Sequence, residues 1–477
     1  MSGSLRRSPF VITLVCVLAL GACAPSGASP AASGESPAAD ASASASAGAS
    51  PDESTVTGAS CQAGATEVKF WTEHTPPASD TMAAIVESFN QANPDICVKM
   101  TIVPGTETNI AKLLTSIRGG AAPDVYLADR FTVPQRAAEG VLAELPEAAA
   151  LKDQYLEFAW NETQFQGKTF ALPFDTDARA LFYNKDMIEA AGEDPAKLDI
   201  SNGPPTIAEV LAIADKITKE DASGNYETMG WIPGGPGPGG QPGAIDQGWH
   251  YTWGFAHGGK FADTAACKVT PTDPGVVAGF QFLYDFAQQR DPEKITRFVS
   301  TNMPDPTNPA QQNAFTTGKL AMIVTGDWRI DEMAKYAPDT EYGFTYIPVP
   351  NEGDESATWA GGWSVALIPD SPAPEQAWKF MQYFAGPEGQ AVYTKETKHL
   401  PTLSALLTDA SLYDEQHKTF LDFLDVATNR PPLAVGATYW DALTEAQGAV
   451  ELNTKEPMAA LQEAQDAVQP RLDEVGC

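Results

Sequence analysis

Hydrophobic and polar positions change period repeatedly along the chain, and the changes outline its elements. Val68 to Trp71 is a short apolar run, which predicts a strand. Met82, Ile85, Val86 and Phe89 recur at helical spacing, with Ser79 or Asp80 as the expected cap and Asn93-Pro94-Asp95 as the stop. Ile96 to Val103 alternates and is β-branched, so a second strand is expected there. Ile110, Leu113, Leu114 and Ile117 form another apolar helix face that ends at Gly119-Gly120, and Asp124 to Ala128 reads as a third strand. Strands alternating with helices predict an α/β fold built on a mainly parallel sheet with helices on both faces.

A second body follows. Thr169 to Phe174 and Ala180 to Asn184 are extended in pattern. Thr206-Ile207-Ala208-Glu209 is a capping box that opens a helix carrying Leu211, Ile213 and Ile217. A Gly/Pro-rich loop spans Pro233 to Gly243, and helix, strand and turn signals continue through Gly326. A strand returns over Thr358 to Leu367, then a helix with Trp378, Met381 and Phe384, and the stretch from Leu412 to Leu472 is mostly helical. There is no internal sequence repeat. The folded part, roughly 415 residues, exceeds what one core usually serves, so two lobes are expected. Ligands of open parallel sheets bind beyond the carboxyl ends of the strands. That rule singles out Trp71-Thr72-Glu73-His74, Asp129-Arg130, Asp175-Thr176-Asp177 and Gly326-Asp327-Trp328.

The N-terminus has a different character. Arg6 and Arg7 precede an apolar run from Phe10 to Ala22. The run is shorter than the roughly 20 residues that span a bilayer and suits a signal peptide over 1–22. Leu20-Gly21-Ala22-Cys23 resembles a bacterial lipobox, which implies acylation of Cys23 and retention at the membrane by lipid alone. The following residues are dominated by Ala, Ser, Gly and Pro, with Glu35, Asp40, Asp52 and Glu53 as the charges. A flexible, extended tether over 23–62 is expected.

The formal net charge is −32. It argues against nucleic acid or an anionic membrane surface as partner, and more weakly against an anionic ligand. Outside the leader, Cys61, Cys97, Cys267 and Cys477 are far apart and lack metal-ligand spacing, which favours two disulfides in an exported domain. Three pairings are open. Cys61–Cys97 is preferred because each cysteine starts a predicted strand and the two strands should be parallel neighbours; Cys267–Cys477 follows by elimination. The 5 histidines show no ligand spacing, so no metal and no cofactor is expected.

Several ordered segments resemble the extracellular solute-binding proteins of carbohydrate ABC importers, the family that includes the maltodextrin-binding proteins. They are the strand ending at Trp71; Ala122-Pro123-Asp124-Val125 leading to Asp129-Arg130-Phe131; and Leu172-Pro173-Phe174-Asp175 running to Leu181-Phe182-Tyr183-Asn184-Lys185-Asp186. Then come Ala314-Phe315, Gly318-Lys319, Ala321-Met322, Gly326-Asp327-Trp328 and Gly361-Gly362-Trp363 before Ile368-Pro369. The set covers nearly all of residues 66 to 470. The resemblance implies a two-lobed type II periplasmic-binding-protein-like fold, with a cleft and several hinge crossings that close on ligand. Lobe 1 is expected over 63–174 plus about 361–408, and lobe 2 over about 175–360 plus 409–477.

It also implies a role: the substrate-binding component of a sugar importer, not an enzyme. The chain is expected as a lipid-anchored monomer on the extracellular face of the membrane that delivers a mono- or oligosaccharide, first guess an α-glucoside, to the permease subunits. Trp328 and Trp440 match stacking positions, Asp129 and Arg130 a hydroxyl-binding pair, and Asp177 an acidic position after the first hinge. Asp175 serves either hinge or sugar, while Glu73, His74, Trp249 and Trp363 follow from their places after strands or near glycine turns. The chemistry is consistent with this, because aromatic faces cover the CH patches of a sugar and charged groups bond its hydroxyls. The sequence departs from the maltodextrin pattern in the long Gly/Pro loop before Trp249 and in Thr72-Glu73-His74, where an Asp-Lys-type pair is expected. The alternatives are a receptor for a cationic solute, such as a polyamine or peptide, and a secreted glycosidase using two of the many carboxylates.

Overall fold

A computed structural model describes residues 54–56 and 61–477, apart from 104, 106–107, 236–244 and 303–308. The signal segment, Cys23, most of the 23–62 stretch and most of the Pro233–Gly243 loop lie outside the described residues.

Two sheets organise the chain. The first has six strands in the order Ser54–Val56, Ile96–Ile102, Thr66–Thr72, Val125–Asp129, Trp363–Leu367, Ala171–Pro173. The three strands legible in the sequence lie parallel at its centre, with Val68 opposite Val98 and Phe70 opposite Val125. The expectation of a mainly parallel sheet holds only there. Trp363–Leu367 starts at the end of the sheet where Val125–Asp129 stops, with Trp363 opposite Asp129, and must therefore run antiparallel. The first long helix, Ala78–Ala92, begins just ahead of Ser79 and Asp80, and neither caps it. Its Met82, Ile85, Val86 and Phe89 are buried in one core with Phe70, Val98, Phe380 and Phe384.

A correction concerns the tether. Ser54–Val56, inside the stretch expected to be a flexible tether, is a strand paired antiparallel with Met100–Ile102. It covers a sheet edge that would otherwise present unpaired backbone groups. So short a strand leaves no periodicity in a low-complexity stretch.

The second sheet has five strands in the order Lys219–Glu220, Tyr226–Trp231, Leu320–Gly326, Arg179–Asn184, Tyr342–Thr345. Every residue of Leu320–Gly326 is buried, because helices cover both faces. The capping box at Thr206 and Glu209 is formed on both sides. The C-terminal helices Gly436–Glu451 and Pro457–Val475 pack into the core of this second lobe.

The chain passes between the sheets more than once. One crossing holds the strand Asp175–Thr176, paired antiparallel with Leu400–Pro401 of another. A third contains Thr358–Ala360, parallel to Ala427–Asn429, and then Gly361 and Gly362. The disulfides are Cys61–Cys97 and Cys267–Cys477, with Cα separations of 5.4 and 5.8 Å.

Candidate functional site

A cavity of about 370 Å³ lies where the crossings meet the strand ends of both sheets. Each wall comes from a segment that ends a regular element. Glu73 and His74 follow Thr66–Thr72, Asp129 closes Val125–Asp129, and Trp328 follows Leu320–Gly326. Asp177, Arg179, Trp359, Gly362 and Trp363 come from the crossings, and Arg430 and Trp440 from the C-terminal region.

Of the residues expected from sequence, Glu73, His74, Asp129, Asp177, Trp249, Trp328, Trp363 and Trp440 line this one cavity. Arg130 and Asp175 do not, and both expectations are corrected. Arg130 is fully buried. Its guanidinium is used up by Glu162, at 2.8 Å, and by the carbonyls of Asp175 and Gly361, so it ties two crossings together and faces away from the cavity. Asp175 is 1% exposed and accepts the Trp363 N–H at 2.6 Å. Asp129 ends its strand and Arg130 opens the 3-10 turn Arg130–Thr132, so the two neighbours leave the strand end in different directions.

The partner of Asp129 is Arg430, not Arg130. Arg430 Nη1 and Nη2 donate to the two carboxylate oxygens at 3.1 and 2.5 Å. Asp177 pairs with Arg179 and accepts the Gly361 N–H at 2.6 Å. Arg179 lies over the Trp359 ring at 3.4 Å, with Trp328 5.6 Å away. Arg430 lies over Phe131 at 4.1 Å and within 5.7 Å of Trp440. Guanidinium groups stacked on rings and bonded to carboxylates are held rigidly, which suits them to present hydrogen-bonding edges without reorganisation.

Aromatic rings pair along the walls. Trp249 and Trp440 approach to 5.2 Å, and Trp328 stacks on His399 at 5.3 Å. Trp363 meets His74 edge-on at 4.4 Å. Burial pushes His74 down to about 3, helped by the charge of His399, so it is neutral at neutral pH. It is a hydrogen-bonding group there, not a charge.

Arg179, Trp359, Gln247, His399, Arg430, Asp331 and Glu332 also line the cavity and escaped the sequence reading. Arg179 stood two residues from Asp177, and Trp359 four from Trp363, so their neighbourhood carried a signal. Arg430 carried none: it follows a three-residue strand and is 301 residues from its partner.

The model of the family described as bacterial extracellular solute-binding protein matches residues 72–391. The maltotriose-binding protein of Pyrococcus abyssi is 22% identical over 366 residues, covering 74% of this chain and 70% of that one. Among solved structures, CpMnBP1 with mannotriose bound has a TM-score of 0.72 at 24% identity, covering 84% of this chain and 100% of that one. The GacH receptor of Streptomyces glaucescens, solved unliganded and with acarbose, has a TM-score of 0.68 at 27% identity, covering 86% and 99%.

Proposed function

The chain belongs to the family of bacterial extracellular solute-binding proteins, and on that premise we propose that it captures a neutral oligosaccharide in the cleft between its lobes and hands it to an ABC permease. One observation carries the sugar assignment. The cavity is walled by tryptophans, and its two arginines are already neutralised by Asp129 and Asp177. Such a surface offers flat apolar faces and directional, charge-assisted hydrogen bonds. It is matched to a polyhydroxy ring with CH faces. The relatives solved or named with mannotriose, acarbose and maltotriose support the same reading, and an α-glucoside stays the first candidate.

The same pairing weighs against the alternatives. A polyamine is met by carboxylates, and of those lining the cavity Asp129, Asp177 and Glu332 already hold arginines. A glycosidase holds two carboxylates about 5–10 Å apart across the bond it cleaves, whereas Asp129 and Asp177 are each committed to an arginine. The relatives named above are binding proteins. Attachment through an acylated Cys23, the monomeric state and the ligand contacts of Glu73, His74, Asp129, Asp177, Trp249, Trp328, Trp363 and Trp440 belong to this proposal.

A thermal-shift screen tests it. The protein is challenged with maltotriose, mannotriose, acarbose and a wider oligosaccharide panel, with spermidine and a phosphate ester as controls. A ligand that binds only the native state raises the midpoint. A rise with an oligosaccharide and none with spermidine is expected, without release of smaller sugars. A rise confined to spermidine or the phosphate ester, or hydrolysis of the sugar, overturns the reading.

A further inference from the structure

Beside Trp328 a polar cluster runs from His399 on the cavity wall into the protein. Asp175 comes from one crossing, His399 from the crossing paired with it, Asp327 from the end of the second sheet, and Tyr393 from a helix of the first lobe. His399 Nδ1 is 3.5 Å from Asp327 Oδ1 and 3.8 Å from Asp175 Oδ2. All four side chains are more than nine-tenths buried. Asp175 Oδ2, Asp327 Oδ2, His399 Nδ1 and the Tyr393 hydroxyl are each without a hydrogen-bond partner. Two buried carboxylates beside one imidazole, with too few donors between them, form a group that a proton stabilises.

The cluster also straddles the moving parts. Asp175 and His399 sit on paired crossing strands, Asp327 on the second lobe. Trp328, next to Asp327, stacks on His399, and both rings face the cavity. Swinging the second lobe away from the crossings separates Asp327 from His399 and lets water reach the carboxylates.

We propose that closure of the lobes on ligand is coupled to uptake of a proton by the Asp175–Asp327–His399 cluster, so that capture is favoured as pH falls from alkaline towards neutral. The proposal rests on the sugar reading for its ligand. Burial holds Asp175 up at about 7 and Asp327 well above the usual carboxylate range. The charges facing them are Arg130 and Arg179, which oppose the shift, and Asp129 and Asp177, which add to it. His399, facing Asp177, Arg179 and the rings of Tyr393 and Trp328, is pushed down to about 4 by burial; His74 and His417 also feel it. Assembly therefore takes up a proton at the carboxylates, and below about pH 6.5 it loses one at His399. Above that pH the carboxylate uptake is unopposed.

Calorimetric titration with maltotriose and with mannotriose, in two buffers of different ionisation enthalpy, counts the protons. Above about pH 6.5 the wild type is expected to take up a proton on binding and to lose affinity as pH rises, by up to about tenfold per pH unit. Asp327→Asn is expected to bind with little pH dependence. Sugar bound without proton exchange across that range overturns the linkage and leaves the sugar reading standing. Absence of binding by any panel sugar overturns the sugar reading, and the linkage to sugar with it. An infrared band of a protonated carboxyl is expected to appear near pH 7 when maltotriose or mannotriose binds the wild type, and not when it binds Asp327→Asn. Its absence from the wild type overturns the proton site itself.

Discussion

Arg430 and Asp129 meet in a two-pronged ion pair, Nη1 to Oδ2 at 3.1 Å and Nη2 to Oδ1 at 2.5 Å, with both side chains buried. The pair joins the end of a first-sheet strand to the C-terminal region, and it sits on the cavity wall. Removing one partner strands the other charge in a dry place, which costs about 3–5 kcal/mol. Arg430→Met is therefore expected to lower unfolding stability by about that amount and to weaken sugar binding by at least about tenfold, one lost charge-assisted hydrogen bond. Urea unfolding and calorimetry check the two effects separately. Unchanged affinity in a folded variant removes Arg430 from the ligand surface.

The tryptophans separate into two kinds. Trp328 stands beside His399 at the cavity. Trp440 also belongs to the second-lobe core, in contact with Trp249 and Phe131. Trp328→Ala is expected to cost about 2 kcal/mol of binding, roughly thirtyfold, with a small change in melting temperature. Trp440→Ala is expected to lose stability as well, by about 3–5 kcal/mol, while Trp440→Phe recovers much of it. Equal melting losses in the two alanine variants contradict this division.

Gly362 has a φ of +121°, and a Cβ there meets Arg130 Nη1 and the Asp175 carbonyl. The crossing is thus built around the arginine that threads it. Gly362→Ala is expected to destabilise by more than about 2 kcal/mol, from backbone strain and displaced Arg130 together. Denaturant unfolding measures it, and a loss under half that size means the crossing relaxes freely.

Glu451 lies buried in the second lobe with Gln447 as partner at 2.8 Å, while its other oxygen has none. Burial raises its carboxyl from 4.5 to about 8. Between those values the native state holds a proton that the unfolded state has released, so this group's contribution to stability falls as pH rises from about 4.5 to 8. Glu451→Gln is expected to melt higher than the wild type at pH 8 and above, with the difference vanishing near pH 4.5. A difference independent of pH refutes a buried, neutral Glu451.

Much of the architecture was legible in local pattern. Met82, Ile85, Val86 and Phe89 share one helix face because 3.6 residues make a turn, and that spacing is written in the chain. Parallel strands need a crossover, so the helix between Thr66–Thr72 and Ile96–Ile102 announced their pairing. The Cys61–Cys97 bridge followed from it. Glu73, His74, Asp129, Asp177 and Trp328 stood at strand ends, where an open sheet binds its ligand, while Trp440 came from the family resemblance and Trp249 and Trp363 from their places near glycines.

What local pattern does not carry is which way a side chain turns and what comes to meet it from far along the chain. Asp129 and Arg130 are neighbours in sequence and looked like a pair. The strand end turns them apart, sending Asp129 to the cleft and Arg130 into the crossings, and only tertiary packing brings Arg430 to the vacated charge. The sequence by itself determined the elements and the strand ends at which a ligand site forms, because short-range sterics and periodicity act within a few residues. The tertiary structure decided the ion pairs and the buried Asp175–Asp327–His399 cluster, because desolvation and charge depend on neighbours that the chain supplies from the other lobe.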